Sequence, residues 1–194
     1  IYQHSETKEG LCAFELIYFL SNKSFVDGYY IKNVRKWLGY KLAESEQGYM
    51  GSAYVWDKDY TVIGIPSSGI DAAMGYSEKM GYKYEQLILK NSDAGRTFIL
   101  MNNENRVKAC KKKFAYDKDN LKGKRVIIVD DTIVRGKVMK SIVDNLRDCG
   151  VTEIHVRIPA PPVIDVCELG IAIREKNELI MHEKKVEDVR KELG

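Results

Sequence analysis

The order of apolar and polar positions marks two units of one kind within the chain, each a short β-branched run followed by turn residues and then a helical stripe. Thr61-Val62-Ile63-Gly64-Ile65 has the character of a central strand, Pro66-Ser67-Ser68-Gly69 terminates it, and Ala72, Ala73 and Met74 resume helical spacing. Arg125-Val126-Ile127-Ile128-Val129 runs into Asp130-Asp131, and a helix follows with Val138, Ile142, Leu146 and Cys149 on one stripe. Gly150 ends that helix, and Thr152 to Ile158 alternates polar with apolar as a further strand, stopped by Pro159, Pro161 and Pro162. Strand-to-helix alternation of this kind predicts an α/β fold with a mostly parallel central sheet flanked by helices.

The flanking segments are less regular. From Cys12 to Leu20 the residues Phe14, Leu16, Ile17, Tyr18, Phe19 and Leu20 make a short apolar run suited to a buried strand, broken by Asp27-Gly28. Between Tyr30 and Glu46, Val34, Trp37, Leu38, Lys41 and Leu42 fall at helical spacing and predict an amphipathic helix. Gly48 to Tyr60 reads as a loop or small hairpin. Residues 91–121 are long, polar and lysine-rich, which is the pattern of a mobile flap that closes over a ligand. Glu183 to Leu193, with Val186, Val189 and Leu193 among charges, predicts an exposed amphipathic helix.

Composition narrows the function. A chain of 194 residues with 44% hydrophobic and 30% charged content suits one domain spanning residues 1–194. Its formal charge of +3 gives no global excess for nucleic acid, and Lys111-Lys112-Lys113 lacks aromatic stacking residues beside it. No apolar run approaches the roughly 20 residues that cross a bilayer, and residues 1–10 lack the pattern of a signal peptide, so a cytoplasmic protein is expected. Cys12, Cys110, Cys149 and Cys167 contain no paired spacing, and His4, His155 and His182 are far apart.

In an open α/β sheet, ligands bind beyond the carboxyl ends of the strands, which singles out the residues after Ile65 and Val129. After Val129, two acids precede a glycine-containing turn and a helix start, combining hydroxyl-binding carboxylates with backbone N–H groups aimed at a phosphate. Ordinary capping explains either acid alone but does not require two in succession. The string Val129-Asp130-Asp131-Thr132-Ile133-Val134-Arg135-Gly136 therefore suits a sugar phosphate.

On these residues the chain resembles the type I phosphoribosyltransferases, and among them the glutamine phosphoribosylpyrophosphate amidotransferases. The likeness extends in order through Cys12 to Phe19, Asp27-Gly28, Ile65 to Gly69, Ala72 to Tyr76, Lys90-Asn91, Gly95 to Ile99, Val129 to Gly136 and His155 to Ile158. The resemblance implies transfer of the 5-phosphoribosyl group from phosphoribosylpyrophosphate to ammonia, giving 5-phosphoribosylamine and pyrophosphate. It further implies that Asp130 and Asp131 contact the ribose hydroxyls and an associated Mg²⁺, and that Thr132, Ile133, Val134, Arg135, Gly136 and Lys137 wrap the 5′-phosphate. By the same resemblance Ser67, Ser68 and Gly69 form the pyrophosphate loop with Ser68 near the metal, and Lys90, Asn91 and Arg96 belong to the closing flap.

Departures from the family pattern accompany the likeness. The glutaminase half, which in these amidotransferases precedes the matched region, is absent from residues 1–194, so ammonia is expected from solution or from a separate glutaminase domain or subunit. Lys137 and Val138 stand where the family usually places two threonines, Ser67 where it often has an acid, and Ser92-Asp93 where the flap has an Arg-Tyr pair. Cys12 and Cys167 lie where iron–sulfur members place two of four cluster ligands; the family's other two come from a later segment. Both are therefore expected to be buried structural cysteines, and a cluster only if the natural chain extends beyond Gly194. Homo-oligomerisation follows from the resemblance alone. A base-salvage transferase shares the phosphate loop but needs a hood over a nucleobase, and a non-catalytic module that binds phosphoribosylpyrophosphate or nucleotides is suggested by Lys137, Val138 and the altered flap.

Overall fold

The structure is a computed structural model that describes residues 12–50, 59–91, 113–167 and 173–194. After a π-helical turn at Glu15–Phe19 come a two-stranded antiparallel ribbon, β1 (Phe25–Val26) and β2 (Tyr29–Tyr30), and the long helix α1 (Ile31–Met50). The first repeat follows as β3 (Tyr60–Gly64), α2 (Gly69–Met80) and β4 (Lys83–Tyr84). A second antiparallel ribbon joins β5 (Ile88–Lys90) to β6 (Phe114–Tyr116), and the short helix α3 (Lys118–Leu121) leads into the second repeat. That repeat comprises β7 (Arg125–Val129), α4 (Lys137–Asp148) and β8 (Glu153–Arg157); a 3₁₀ turn at Lys176–Glu178 and α5 (Val186–Leu193) complete the described chain.

The main sheet is parallel throughout, in the order β4-β3-β7-β8, so the expected α/β architecture is present. All five residues of β3 and the last four of β7 are buried, as continuous apolar strands covered on both faces must be. Their side chains alternate between two cores. Ile63, Val126 and Ile128 face a layer built from α4, α5 and the second ribbon, including Ile142, Leu146, Val189 and Leu193. Val62, Ile127 and Val129 face a layer of Ala43, Ala72, Ala73 and Tyr76 from α1 and α2. Close approach of α1 to α2 depends on two glycines: a Cβ at Gly39 would lie 1.8 Å from the Ala72 carbonyl oxygen, and one at Gly75 1.8 Å from that of Lys36.

Several local expectations are corrected. Residues after Cys12 turn as a helix and not a strand, closed by Leu20 N–H donating to the Glu15 carbonyl at 2.9 Å, and Tyr18 and Phe19 lie on the surface. A short, mostly apolar run carries no period that separates the two conformations. On α1 the buried line is Ile31, Arg35, Gly39 and Ala43, while Trp37 is exposed and Lys41 pairs with Glu44 at the surface; small residues at the α2 contact displaced the face that large side chains suggested. Residues 48–50 prolong α1, Tyr60 belongs to β3, and the expected loop between them falls largely outside the described residues. On α4, Met139 and not Val138 begins the buried stripe. Residues 113–121 are a strand and a helix turn packed through Phe114 and Leu121, so the flap reading does not hold for them; residues 92–112, with Cys110, lie outside the description. Cys12 and Cys167 are half-buried and only Cys149 of the described three is buried, which overturns their reading as buried core cysteines. The terminal helix packs Val189 and Leu193 into the core and exposes Val186.

Candidate active site

β3 and β7 are adjacent and in register from Tyr60↔Arg125 to Gly64↔Val129, so the loops that follow them leave the sheet side by side. Ile65 N–H donates to the Val129 carbonyl at 2.9 Å, and Gly69 N–H donates to the Ile65 carbonyl at 3.0 Å, closing the first loop over residues 65–69, which includes a cis peptide between Pro66 and Ser67. The two loops touch at Gly69. A Cβ there would stand 2.5 Å from the Val129 carbonyl oxygen and 2.9 Å from the Asp130 Cα, so only glycine permits this spacing.

Asp130 and Asp131 leave the end of β7 where Asp130 N–H still bonds the Arg157 carbonyl of β8 at 3.2 Å. The Asp130 carboxylate accepts Asp131 N–H at 2.9 Å. Asp131 is buried, with 4% of its surface exposed, and its carboxylate accepts from Ser68 of the neighbouring loop and from the Thr132 amide. Its Oδ2 has no hydrogen-bond partner, and neither has the buried Thr132 Oγ1. Burial, and then for Asp130 the negative charge of Asp131, push these carboxyls above the ordinary carboxylate range. One carboxylate oxygen of Asp131 and the Thr132 hydroxyl, both buried and without partners in the protein beside a second acid, form a site suited to a cation or to sugar hydroxyls, which supply what these oxygens lack. Among the described residues no group of three or more His, Cys, Asp or Glu side chains is placed to hold a metal. Two adjacent carboxylates are oxygen donors of the kind that suit a hard divalent cation such as Mg²⁺, which keeps several of its waters.

The loop from Thr132 to Gly136 then delivers the chain to the N-terminus of α4, which Gly136 enters in the left-handed conformation, φ 72°. The first-turn amides of a helix have no intrahelical acceptor and, with the helix dipole, form an anion site. Lys137 and Val138 are exposed there, and the Arg135 guanidinium pairs with Glu178 at 2.6 Å. Ile180 N–H donates to the Val134 carbonyl at 2.9 Å, and a Cβ at Gly136 would meet the Ile180 side chain at 2.1 Å, so the segment after residue 173 buttresses the loop from outside.

The structure thus brings Ser67, Ser68, Gly69 and Asp130 to Lys137 to one end of the sheet. Lys90 and Asn91 lie on the second ribbon, where Asn91 N–H donates to the Lys113 carbonyl at 3.0 Å; Arg96 lies outside the described residues. Cys12 and Cys167 are no part of this group. Three neighbours carry no sequence motif. Lys113, set aside above with its lysine triplet, bears on both Asp130 and Asp131 with its positive charge. Arg35 of α1 is buried with its charge felt by Asp131 and by the half-buried Asp71 of α2, and only the packing of the two helices reveals them.

Comparison with known proteins agrees with this arrangement. A family model described as the phosphoribosyl transferase domain matches residues 41–160, which contain both loops. The amidophosphoribosyltransferase of Bacillus subtilis is 40% identical over 184 residues, covering 95% of this chain and 37% of that protein; that of Methanothermobacter thermautotrophicus is 38% identical over 188 residues, covering 97% and 38%. Two solved structures superpose with a TM-score of 0.78 over 94% of this chain. One is the allosteric regulatory enzyme of purine biosynthesis, 39% identical, and the other the B. subtilis glutamine phosphoribosylpyrophosphate amidotransferase complexed with ADP and GMP, 40% identical. The chain spans 37% and 38% of their respective lengths. With the paired loops, the two acids and the match through residues 41–160 in agreement, the chain belongs to the phosphoribosyl transferase domain family.

Proposed function

We propose that the chain transfers the 5-phosphoribosyl group of phosphoribosylpyrophosphate to ammonia, releasing pyrophosphate and forming 5-phosphoribosylamine. The observation that carries this reading is the pair of adjoining loops at the ends of β3 and β7, with Asp131 Oδ2 and Thr132 Oγ1 buried and unpartnered between them. Asp130 and Asp131 take the ribose hydroxyls, the amides from Thr132 to Lys137 take the 5′-phosphate, and the loop Ser67-Ser68-Gly69 takes the pyrophosphate. Ser68, Asp130 and Asp131 would hold the ion. Lys90, Asn91 and Arg96 would bind the pyrophosphate.

In the reaction the bond from the anomeric carbon to the pyrophosphate oxygen breaks with its electron pair leaving on oxygen. The nitrogen lone pair of ammonia forms the new bond, and the product amine gives up one proton to solvent. Positive charge develops on the ribose ring, above Asp130 and Asp131, and negative charge on the leaving group, beside the Ser67 and Ser68 amides. A magnesium ion, when bound, offsets that leaving-group charge. Gly69 holds the two loops at the spacing that lets both charges be met together.

The altered first turn of α4 favours one further reading. Val138 is 37% exposed and offers no hydroxyl, so a module that binds phosphoribosylpyrophosphate without turning it over is the second candidate. Incubation with phosphoribosylpyrophosphate, Mg²⁺ and ammonium, with pyrophosphate release as readout and Asp130→Asn/Asp131→Asn as control, separates them. Release that requires ammonium and disappears in the control supports transfer. Calorimetric binding without release supports the module, and absence of both refutes the assignment.

A further inference from the structure

One side chain stands between the two segments assigned above to the pyrophosphate. β3 and β4 pair in parallel through Val62↔Tyr84, and Glu85 N–H donates to the Val62 carbonyl at 3.0 Å. Continued in that register, the ladder would bring the Leu87 amide to the Gly64 carbonyl. The chain leaves the sheet instead, and the Leu87 carbonyl accepts Asp117 N–H at 3.0 Å, prolonging the second ribbon beyond Ile88↔Tyr116. Gln86, half-buried, is thus the single residue between the two sheets, and its side chain replaces the missing ladder bond. Its Nε2 donates to the Gly64 carbonyl at 3.0 Å and to the Ile88 carbonyl at 2.5 Å, and its Oε1 accepts the Tyr84 hydroxyl.

Carbonyls only accept, so the two of them fix which way the Gln86 amide points. Each carbonyl opens one of the segments in question. Gly64 ends β3 and leads into the loop over residues 65–69; it is buried, and a Cβ on it would lie 2.7 Å from the Ile70 Cα, so α2 holds it closely as well. Ile88 begins β5, which ends at Lys90 and is followed by Asn91. Leu87 and Asn91 use their backbone groups across the ribbon, and by the alternation of an antiparallel pair the Ile88 carbonyl points away from β6 and toward Gln86. Of the bonds Gln86 makes, only that to Gly64 closes the edge of the main sheet. The bond to Ile88 reaches the other sheet, and the Tyr84 hydroxyl orients the amide for both.

We propose that Gln86 is a positioning residue of the phosphoribosyl site: it joins the loop Ser67-Ser68-Gly69 to the ribbon that carries Lys90 and Asn91, so that both meet the pyrophosphate at a fixed separation. This role rests on the function proposed above and names the residue that holds its pyrophosphate half together. The ribose half has supports of its own, in Asp130 N–H on the Arg157 carbonyl and Ile180 N–H on the Val134 carbonyl, and neither involves Gln86. Removal of the amide leaves the Gly64 and Ile88 carbonyls without their donor and lets the loop and the ribbon part, while the loop after β7 keeps its place.

Gln86→Met keeps the length of the side chain and removes both donors. Calorimetry on the whole chain with Mg²⁺ compares phosphoribosylpyrophosphate with ribose 5-phosphate, which lacks the pyrophosphate. The dissociation constant of phosphoribosylpyrophosphate is expected to rise at least about tenfold in Gln86→Met, while that of ribose 5-phosphate stays within about twofold of the parent. Equal weakening of both ligands, or no weakening of phosphoribosylpyrophosphate, overturns the inference and leaves Gln86 as a structural cap on β3. If Gln86→Met does not fold, Tyr84→Phe decides by the same comparison, because it removes the hydroxyl that orients the amide. A loss of about threefold or more confined to phosphoribosylpyrophosphate then supports the inference, and an unselective or absent loss overturns it. A parent chain that binds neither ligand removes the proposed function and this inference together, while selective weakening in a chain that shows no turnover leaves this inference standing and removes only the transfer.

Discussion

Asp131→Asn is expected to make the substrate-free chain more stable while it weakens substrate binding. In the folded chain the carboxylate is buried beside Asp130 and has one oxygen without a partner. Two unit charges about 5 Å apart at an effective dielectric constant of about 20 repel by roughly 3 kcal/mol, an upper bound. Against that, the substitution weakens the acceptor bonds from Ser68 and the Thr132 amide and the attraction to Arg35 and Lys113, together on the order of 1–2 kcal/mol. A net gain of about 1–2 kcal/mol remains, which for a chain of this size corresponds to a rise of roughly 2–8 °C in Tm. The sign with pH follows from the upward shift of both carboxyls. Above the ordinary carboxylate pKa of about 4 the unfolded chain has released these protons while the folded chain retains one, so folding stability falls as pH rises. The asparagine variant lacks that loss at position 131, and its advantage should be larger at pH 8 than at pH 5. Thermal unfolding without Mg²⁺ at both pH values, paired with calorimetry of phosphoribosylpyrophosphate, measures the two effects. A variant less stable than the parent at pH 8, or a gain that does not change with pH, would refute the picture of a strained acid pair awaiting its ligand.

Two further outcomes bear on the loops. Gly69→Ala places a methyl group 2.5 Å from the Val129 carbonyl oxygen, so Tm should fall by the equivalent of about 1–3 kcal/mol and substrate affinity with it; an unchanged affinity would separate the spacing of the loops from binding. Val138→Thr returns a hydroxyl to the first turn of α4, and one added charge-assisted bond of about 1.5 kcal/mol should tighten ribose 5-phosphate by roughly tenfold in calorimetry. No change there would mean that this side chain does not face the phosphate.

The central layer was legible because β3 and β7 are runs of β-branched residues ended by Pro66 and by Asp130-Asp131, and such strands announce both their burial and their carboxyl ends. Helix α1 was legible as a helix but not in its orientation. Trp37 and Leu38 suggested one face, yet the contact with α2 is made by Gly39 and Gly75, and close packing of backbones leaves no apolar signal in the sequence. The turn at Glu15–Phe19 was misread for a related reason: its conformation is held by an arginine nineteen residues away from Leu16, a tertiary bond that no local period encodes. Arg35 and Asp71 escaped notice at the site because charged residues on an amphipathic helix ordinarily face water, and their burial depends on which way α1 and α2 turn against the sheet.

The loop from Asp130 to Gly136 is held from three directions, and each accounts for one part of what it must do. Val129 and Asp130 are fixed by neighbouring strands through Ile65 N–H and the Arg157 carbonyl, which places the acids at the sheet edge with little freedom. Arg35, buried on α1, adds its positive charge from the core to the field at Asp131. From outside, Ile180 takes the Val134 carbonyl and fills the space a side chain at Gly136 would need, while Glu178 holds Arg135. The first two supports come from buried backbone and a buried cation and are permanent. The third includes an ion pair at the surface, where such pairs contribute only about 0–1 kcal/mol, so Arg135 can exchange Glu178 for a phosphate at small cost. For the transfer proposed above, a loop preorganised at its acids and adjustable at its arginine would meet the ribose without rearrangement and close on the phosphate through a surface side chain.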